Sequence, residues 1–274
     1  MAEFSRRAVL KGVGHAAAFG SLAAALPLSC IAQETEESAI LLSLVYPNAP
    51  RAKFDVKRYR ETHIPMLRSV YGDSVERVEA RVPRKLPATE GGRRGSNVPQ
   101  AAPQVAMPIS AVLASTSVWI RDARAFAEKS TAAQQPLADD LQKLTDIVPA
   151  MQYDRVVTLL GESRSAIEVG GQVFSTYFPT QQGTTFDARY FGEKVIPLIV
   201  KLYGSRAIRR IEYTLGQAQG GAEPALRAAL HVYIRDRAVW DAASTQAFAA
   251  LQAETPNYTT VAPLIADTEV VAIA

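Results

Sequence analysis

Cysteine is almost absent from this chain of 274 residues, which contains only Cys30. A single thiol cannot form a disulfide within the chain, and it cannot supply a metal site built from several cysteines. The length allows one large domain or two small ones.

An excess of charge of either sign is also lacking, since 30 Lys and Arg residues face 27 Asp and Glu residues. Arg6, Arg7, Lys11 and Glu3 lie in the first 32 residues, so the remainder balances 27 basic against 26 acidic residues. Proteins that bind nucleic acids concentrate Lys and Arg well beyond this balance. We therefore expect no nucleic acid as a partner; the small-molecule ligand that we do expect is predicted from the repeat motifs described below.

Several motifs of known chemistry are missing as well. The sequence has no Gly-rich phosphate loop, no nucleophile elbow and no His and carboxylate pattern at metal-ligand spacing. These motifs are typical of dinucleotide enzymes, hydrolases and metalloenzymes. The sequence therefore predicts no metal site and identifies no cofactor.

The N-terminus has the pattern of an export signal. The segment Ser5-Arg6-Arg7-Ala8-Val9-Leu10-Lys11 matches the twin-arginine pattern, and a weakly apolar stretch rich in Ala and Gly follows from Gly12 to Leu28. That stretch is short and soft for a membrane span, which needs ~20 strongly apolar residues. We predict that residues 1–32 are a signal peptide, cleaved after Ala32.

This signal predicts a periplasmic or secreted protein with no membrane span in the mature chain. One alternative is a lipid anchor on Cys30, which is disfavoured because Pro27 stands where a branched apolar residue is usual. The other is a chance arginine pair before a buried helix.

The rest of the chain contains an internal repeat. Aromatic, acidic and Ile-Pro positions of the first copy recur at one spacing in the second, and a later block recurs at a shorter spacing. The matching segments are Tyr46-Pro47 and Phe178-Pro179, Phe54-Asp55 and Phe186-Asp187, Tyr59 and Phe191, Ile64-Pro65 and Ile196-Pro197, Tyr71-Gly72 and Tyr203-Gly204, and Ser117–Asp122 and His231–Asp236.

Each copy has the pattern β-α-β-β-α-β, with Asp55 as a helix N-cap and Gly72 as a helix stop in the first. The first copy predicts strands at Ile40–Tyr46, Val75–Val82, Met107–Trp119 and Tyr153–Leu160, and helices at Val56–Tyr71 and Asp122–Thr145, the latter broken at Pro136. The second predicts strands at Val173–Phe178, Ile208–Leu215, Leu226–Ile234 and Leu264–Ile273, and helices at Ala188–Tyr203 and Ala238–Ala253. Within the first copy, a long loop is predicted from Pro83 to Gln104, between the second and third strands.

This pattern is typical of a ferredoxin-like unit, a four-stranded sheet with both helices on one face. We predict an α+β fold with repeats at residues 38–165 and 170–274. The two sheets should face each other around a cavity and form a dimeric α/β barrel within one chain. The protein would then be a monomer with pseudo-two-fold symmetry or a higher oligomer.

The repeat motifs resemble those of the EthD family. The resemblance is carried by Phe54-Asp55, Tyr59 and Glu61-Thr62-His63-Ile64-Pro65 in the first copy, and by Thr255-Pro256-Asn257-Tyr258-Thr259 in the second. It implies the dimeric α/β-barrel superfamily, which includes cofactor-free oxygenases, lactone isomerases, polyketide cyclases and haem proteins. The second copy departs from the pattern, with Val195 in place of His63. We therefore expect a working site in the first copy only.

His63 is the candidate catalytic residue. It lies on an apolar helical stripe with Tyr59 and Leu67, and Val195 in the second copy predicts that its environment is buried. A buried neutral imidazole can accept a proton near pH 7. The alternative is a structural histidine bonded to a carbonyl near a kink at Pro65.

Alternating residues of one strand predict a second set of ligand contacts. Ser117 and Trp119 share a strand face, and His231 and Tyr233 are their counterparts in the second copy. The opposite faces, with Val118 and Val232, are aliphatic and should pack under the helices. We predict that Tyr59, Ser117, Trp119, His231 and Tyr233 bind the ligand, although the aromatic residues could equally form inter-sheet core.

Three functions remain open from the sequence. The first is an enzyme that binds a small cyclic or aromatic compound in the barrel cavity, into which His63 points, and uses His63 as proton acceptor in oxygenation or isomerisation without a cofactor. The second is a haem protein with His63 as axial ligand. The third is a periplasmic binding or interaction module without catalysis.

Overall fold

The computed structural model describes residues 39–84 and 111–274. The predicted signal peptide, with Cys30, lies outside the described residues. So do Met107 and the predicted loop from Lys85 onward.

The first repeat has the predicted order of elements. Its strands are β1 (Ile40–Pro47), β2 (Val75–Pro83), β3 (Val112–Ile120) and β4 (Ala150–Gly161). Its first helix, α1, joins a turn at Val56–Arg58, a π-helical turn at Tyr59–His63 and an α-helical part at Ile64–Tyr71. Its second helix, α2, spans Ala123–Leu144.

The second repeat is built in the same way. Its strands are β5 (Gln172–Pro179), β6 (Ile208–Gly216), β7 (Leu226–Ile234) and β8 (Leu264–Ile273). Helix α3 joins Ala188–Tyr190, a π-helical turn at Phe191–Val195 and Ile196–Ala207, and α4 spans Arg237–Tyr258.

The eight strands form one closed antiparallel barrel in the order β1-β3-β2-β8-β5-β7-β6-β4. Each repeat supplies four neighbouring strands, and the repeats join where β2 pairs with β8 and where β4 pairs with β6. The predicted α+β fold with an intramolecular α/β barrel is therefore confirmed. The sheets meet edge to edge, so that backbone hydrogen bonds close the barrel and leave no free strand edge between the repeats.

Strand alternation separates an outer, apolar face from an inner, polar face. In the first repeat the outer face packs against the helices through Leu42, Val78 and Val118, and in the second through Ile211 and Val232. The inner face carries buried polar side chains, including Glu79, Arg81, Ser117, Asp154, Glu212 and His231. The predicted assignment of the aliphatic strand faces to the helix side is confirmed.

Both first helices contain a π-helical turn directly before an Ile-Pro pair. Ile64 N–H bonds to the carbonyl of Tyr59, and Ile196 N–H bonds to that of Phe191, each five residues back. Pro65 and Pro197 have no N–H, so a regular helical bond is lost at each of them and the helix widens there. Asp55 caps α1 as predicted, accepting a hydrogen bond from Arg58 N at 2.9 Å.

The predicted break at Pro136 is wrong, because α2 continues through it from Ala123 to Leu144. Proline removes the bond to the carbonyl four residues earlier, that of Ala132. Ala132 and Pro136 are both exposed, so water can satisfy that carbonyl. Packing of Leu137, Leu141 and Leu144 against the core holds the rest of the helix in place.

None of the helices in the described part of the chain combines the length and apolar character that a membrane crossing requires.

Candidate functional site

His63 lies between α1 and α2, on the helix side of the sheet. It is the last residue of the π-helical turn and is 3 % exposed. Its Nδ1 atom is 2.9 Å from Oδ2 of Asp140, a residue of α2 that is also buried. A carboxylate only accepts hydrogen bonds, so Nδ1 carries the proton and donates a hydrogen bond to Asp140. In this tautomer the lone pair of the neutral ring is on Nε2.

Arg58 completes this arrangement from the first turn of α1. Its Nε donates to Oδ1 of Asp140 at 2.9 Å, and its Nη2 donates to the same oxygen. Burial opposes ionisation of Asp140, but the bonds from Arg58 and His63 outweigh it and lower the pKa of that carboxyl. Asp140 is therefore a carboxylate that orients the imidazole.

The pKa of His63 is lowered from its ordinary value. Burial is the main cause and the charge of Arg58 adds to it, whereas the bond to Asp140 acts in the opposite direction. Desolvation disfavours the imidazolium ion. His63 is consequently neutral near pH 7 and able to accept a proton on Nε2.

Hydroxyl groups lie beside the imidazole on the sheet. The Tyr59 ring stacks along that of His63, with centroids 6.2 Å apart, and its hydroxyl donates to the carbonyl of Ser115 at 2.9 Å. Thr116 Oγ1 lies 2.5 Å from the same hydroxyl. The buried hydroxyl of Tyr46 makes no hydrogen bond of regular geometry among the described residues, although Thr116 lies close enough to lower its pKa. Burial raises the pKa of Tyr46 and of Tyr59, so both remain hydrogen-bond donors.

We call this group the His63 site; its members are Tyr46, Arg58, Tyr59, His63, Thr116 and Asp140. The second repeat shows what the fold requires at the same places in its elements. The equivalent residues are Phe178, Tyr190, Phe191, Val195, Leu230 and Glu254. Four of them form part of an apolar core: Phe178, Phe191, Val195 and Leu230. Packing alone therefore accounts for neither the imidazole nor the hydroxyls of the first repeat.

The remaining predicted site residues lie on the other side of the sheet. Ser117, Trp119, His231 and Tyr233 point into the barrel, where each is at most 2 % exposed. Tyr59 is the only one of the predicted ligand contacts that lies beside His63. The expectation that His63 shares one cavity with all of them is wrong, because helices pack on the outer face of a barrel and their inward side chains meet that outer face.

The interior residues already have partners. Trp119 lies under the guanidinium of Arg164, 3.1 Å from its ring centroid, and Ser117 accepts from Arg81. His231 bonds through Nδ1 to Ser175 Oγ at 2.9 Å. Tyr233 contacts Glu79 and Glu212 at 2.9 and 3.1 Å. We name Glu79, Arg81, Ser115, Tyr177, Glu212, His231 and Tyr233 the interior cluster.

The sequence prediction missed Arg58 and Asp140. Asp140 falls on the same helical stripe as Ala133, Leu137 and Leu144, so a charged residue interrupts an apolar face. A buried carboxylate needs a partner, and that interruption could have identified it. Arg58 carries no such pattern. Within residues 39–84 and 111–274, no three His, Cys, Asp or Glu side chains group as metal ligands do.

Comparison with solved structures identifies the class of fold. A structure of an anthrone oxidase-like protein matches with a TM-score of 0.50 and 13 % identity, over 87 % of this chain and 93 % of the other. A monooxygenase-like protein from Fusobacterium nucleatum matches with a TM-score of 0.52 and 9 % identity, over 87 % and 95 %. The chain therefore has the fold of the dimeric α/β-barrel proteins.

A more local similarity involves an EthD-like protein from Ralstonia eutropha JMP134. It is 24 % identical, with a TM-score of 0.31, and covers 39 % of this chain and 92 % of the other. No protein-family model matches the sequence, and no curated protein matches it either.

Proposed function

We propose that this protein is an enzyme of the dimeric α/β-barrel type, in which His63 accepts a proton from a small cyclic or phenolic compound. The observation that carries the proposal is the buried bond of 2.9 Å between His63 Nδ1 and Asp140. This bond fixes the tautomer in which Nε2 is the basic nitrogen. A catalytic base needs a further group to orient it, and Asp140 is in the position to do so. Solved structures with this fold, described as oxidase-like and monooxygenase-like, are compatible with small-molecule chemistry.

The surroundings of His63 favour an uncharged, flat substrate. Tyr46, Phe54 and Tyr59 form an aromatic cluster with centroids 5.0 to 5.9 Å apart. The one cation of the His63 site, Arg58, is engaged with Asp140. An aromatic wall with a few polar groups suits a cyclic compound whose carbonyl or hydroxyl needs a hydrogen bond.

The first chemical step is a proton transfer from a C–H or O–H bond of the substrate to Nε2 of His63, which leaves an enolate or phenolate. The hydroxyl of Tyr46 is suited to stabilise the developing negative charge, because it is buried and makes no regular hydrogen bond, with Thr116 as its one neighbouring hydroxyl. Return of the proton to another carbon completes an isomerisation. Reaction of the carbanion with dioxygen gives an oxygenation.

The test follows the proton transfer, which both reactions share. Purified protein is incubated in D₂O with a panel of cyclic ketones and phenols, and NMR detects deuterium at the acidic carbon. We expect His63→Val, which introduces the residue of the second repeat, to slow exchange by roughly 10²–10⁴-fold. The matched control Val195→Ala should cost about 1 kcal/mol of stability and leave exchange unchanged. Equal exchange in His63→Val and the wild type would contradict the proposal and favour a binding module.

A haem protein is the second candidate, and one observation favours it. An axial histidine commonly donates its other ring nitrogen to a carboxylate, as His63 does to Asp140. Such a haem would be ligated by Nε2 of His63 and would supply redox chemistry. A Soret band after reconstitution with haemin, absent in His63→Val, would support this candidate over the first.

We also propose that the enzyme acts outside the cytoplasm, on the basis of the twin-arginine pattern at Ser5–Lys11. Fractionation of cells that express the full chain, with Arg6 and Arg7 both changed to Lys as the control, tests this location.

A further inference from the structure

Arg81 lies inside the barrel with most of its hydrogen-bonding capacity unused. It is 1 % exposed, and only its Nη2 donates to a protein group, Ser117 Oγ. Its Nε and Nη1 have no hydrogen-bond partner within the described ranges. A buried guanidinium with unpaired N–H groups is costly unless another group satisfies them.

The carboxylates of the interior cluster do not neutralise Arg81 fully, because Tyr233 lies between them. Its hydroxyl is 2.9 Å from Glu79 Oε1 and 3.1 Å from Glu212 Oε2. A phenol donates one hydrogen, which the two carboxylates share.

Glu79 is the more weakly paired of the two glutamates. Glu212 is bonded to Arg210 Nε at 2.6 Å, whereas the guanidinium nitrogens nearest Glu79, on Arg77 and Arg81, are 3.4 and 3.8 Å away. Burial raises the pKa of Glu79 and the neighbouring Glu212 adds to this effect, whereas Arg81 and Arg77 act in the opposite direction. Because Glu212 is engaged by Arg210 and Glu79 lies 3.8 Å from Arg81, neither glutamate forms a hydrogen-bonded pair with Arg81.

Unpaired hydroxyl groups surround Arg81. Ser115 lies opposite Arg81 in the register of β2 and β3, and its buried Oγ has no partner among the described residues. The hydroxyl of Tyr177 is also buried and makes no hydrogen bond among the described residues, and Tyr177 lies within electrostatic range of Arg81. The other acid of the interior, Asp154, is bonded to Ser43 and Gln152.

The second repeat again shows what the fold requires. Thr214 occupies on β6 the place of Arg81 on β2, and Ala229 occupies on β7 the place of Ser115 on β3. A barrel of this kind therefore closes without an arginine or a serine at these places. The pairing of Arg81 and Ser115 is a property of the first repeat alone.

We propose that the barrel interior binds a small planar oxoanion, of the carboxylate or nitrate type, between Arg81 and the hydroxyls of Ser115 and Tyr177. The planar fork of a guanidinium matches the two oxygens of such an anion, and the hydroxyls donate to the oxygens that remain. This site is separate from the proposed enzyme function, because the sheet lies between it and His63.

Thermal unfolding of the full protein in sodium acetate tests the site, with sodium chloride at equal ionic strength as the reference. A ligand that binds only the folded state raises the midpoint by mass action, by roughly 5–10 °C at a hundred times its dissociation constant. We expect a saturable rise with acetate that chloride does not reproduce. An equal rise with both salts would overturn the proposal.

Three variants locate the effect. Arg81→Thr introduces the residue of the second repeat and should abolish the rise, whereas the exposed substitution Arg124→Met changes net charge equally and should preserve it. Ser115→Ala removes an unpaired hydroxyl without breaking a side-chain bond of the fold and should weaken acetate binding roughly tenfold. If Arg81→Thr does not fold, Ser115→Ala decides the question by calorimetry. Unchanged affinity in Ser115→Ala would contradict the site.

Discussion

His63 and Asp140 meet at 2.9 Å although 77 residues separate them in the sequence, and the second repeat has no such imidazole–carboxylate pair. There, Val195 replaces the imidazole, and Glu254 is bonded to the hydroxyl of Tyr190. The two helix pairs thus share one geometry and differ in chemistry. The second repeat is therefore an internal reference for the first.

Removal of Arg58 should raise the pKa of His63, because the guanidinium charge is one cause of its depression. We expect Arg58→Met to move the titration of the His63 ring, followed by NMR, to higher pH. Arg60→Met is the matched control, since Arg60 is exposed and pairs with Glu61. A ring that titrates at the same pH in Arg58→Met and the wild type would show that Arg58 does not act on it.

The same variant should alter acid sensitivity. The unfolded imidazole titrates near 6.5 and the folded one lower, so the unfolded state binds more protons just below pH 6.5. The stability that His63 contributes is present above that value and is lost as pH falls through the folded pKa. Because Arg58→Met raises the pKa of folded His63, the pH range over which stability is lost becomes narrower. The free energy of unfolding of Arg58→Met should therefore fall less than that of the wild type between pH 7 and the pKa of His63 in the folded wild type. Urea unfolding at several pH values measures this difference.

Two tyrosine hydroxyls should have opposite effects on stability. Tyr46→Phe removes a buried hydroxyl that makes no hydrogen bond of regular geometry, only a contact with Thr116, and we expect a gain of about 1 kcal/mol in the free energy of unfolding. Tyr59→Phe leaves Ser115 O without its donor and removes a bond to Thr116, so a loss of about 1–2 kcal/mol is expected.

The second repeat has Phe178 and Phe191 at these positions, so both substitutions fit the fold sterically. If Tyr46→Phe gains stability and also slows deuterium exchange, the hydroxyl is retained for function at a cost in stability. Destabilisation by Tyr46→Phe would contradict the view that its hydroxyl is unpaired.

The fold was predictable from local patterns, but the site was predictable only in part. The two-residue alternation of side chains along a strand predicted that Val118 faces the helices and Ser117 faces the interior. This pattern depends on neighbouring residues alone. The partner of His63 lies on another helix, and no local period connects them. The prediction that His63 points into the barrel is wrong, because a helix on the outer face of a sheet can only point its buried residues at that outer face.

The continuous helix at Pro136 has a related cause. Proline removes one hydrogen bond, and whether the helix ends there depends on exposure and packing. Ala132 is exposed and Leu137 packs against the core, so tertiary contacts outweigh the local effect. Exposure of a single carbonyl is not readable from a repeat pattern.

Asp154 should make stability depend on pH in the opposite sense to His63. Burial raises the pKa of this interior carboxyl to about 6, against 3.8 for the ordinary group, although Ser43 and Gln152 donate to it. Its contribution to stability is complete below pH 3.8 and is lost as pH rises through about 6.

Asp154→Asn removes the ionisable carboxyl, and with it the loss of stability as pH rises through about 6. We expect the variant to be more stable than the wild type above pH 6, by up to about 3 kcal/mol, and the difference to shrink toward pH 4. Urea unfolding at several pH values measures it, with the exposed substitution Asp139→Asn as a control for net charge. A gain that is the same at pH 4 and pH 7 would argue against a raised pKa.

The role of Asp140 as a positioning residue gives the last prediction. Asp140→Asn can offer its amide nitrogen to Nδ1 of His63, which would favour the tautomer that carries its proton on Nε2 and cannot act as the base. We expect deuterium exchange of a substrate to fall by roughly 10²-fold or more. Glu254→Gln, at the equivalent position of the second repeat, should leave exchange unchanged.

A readout besides rate separates positioning from loss of structure. Since the Asp140 carboxylate raises the pKa of His63, Asp140→Asn should lower the pH at which the ring titrates, and ¹⁵N chemical shifts should report a larger population of the Nε2–H tautomer. Arg58 is partly exposed, so water can solvate its guanidinium once the carboxylate is gone. Slower exchange with an unchanged tautomer and titration would mean that Asp140 supports the helix packing and does not orient the base.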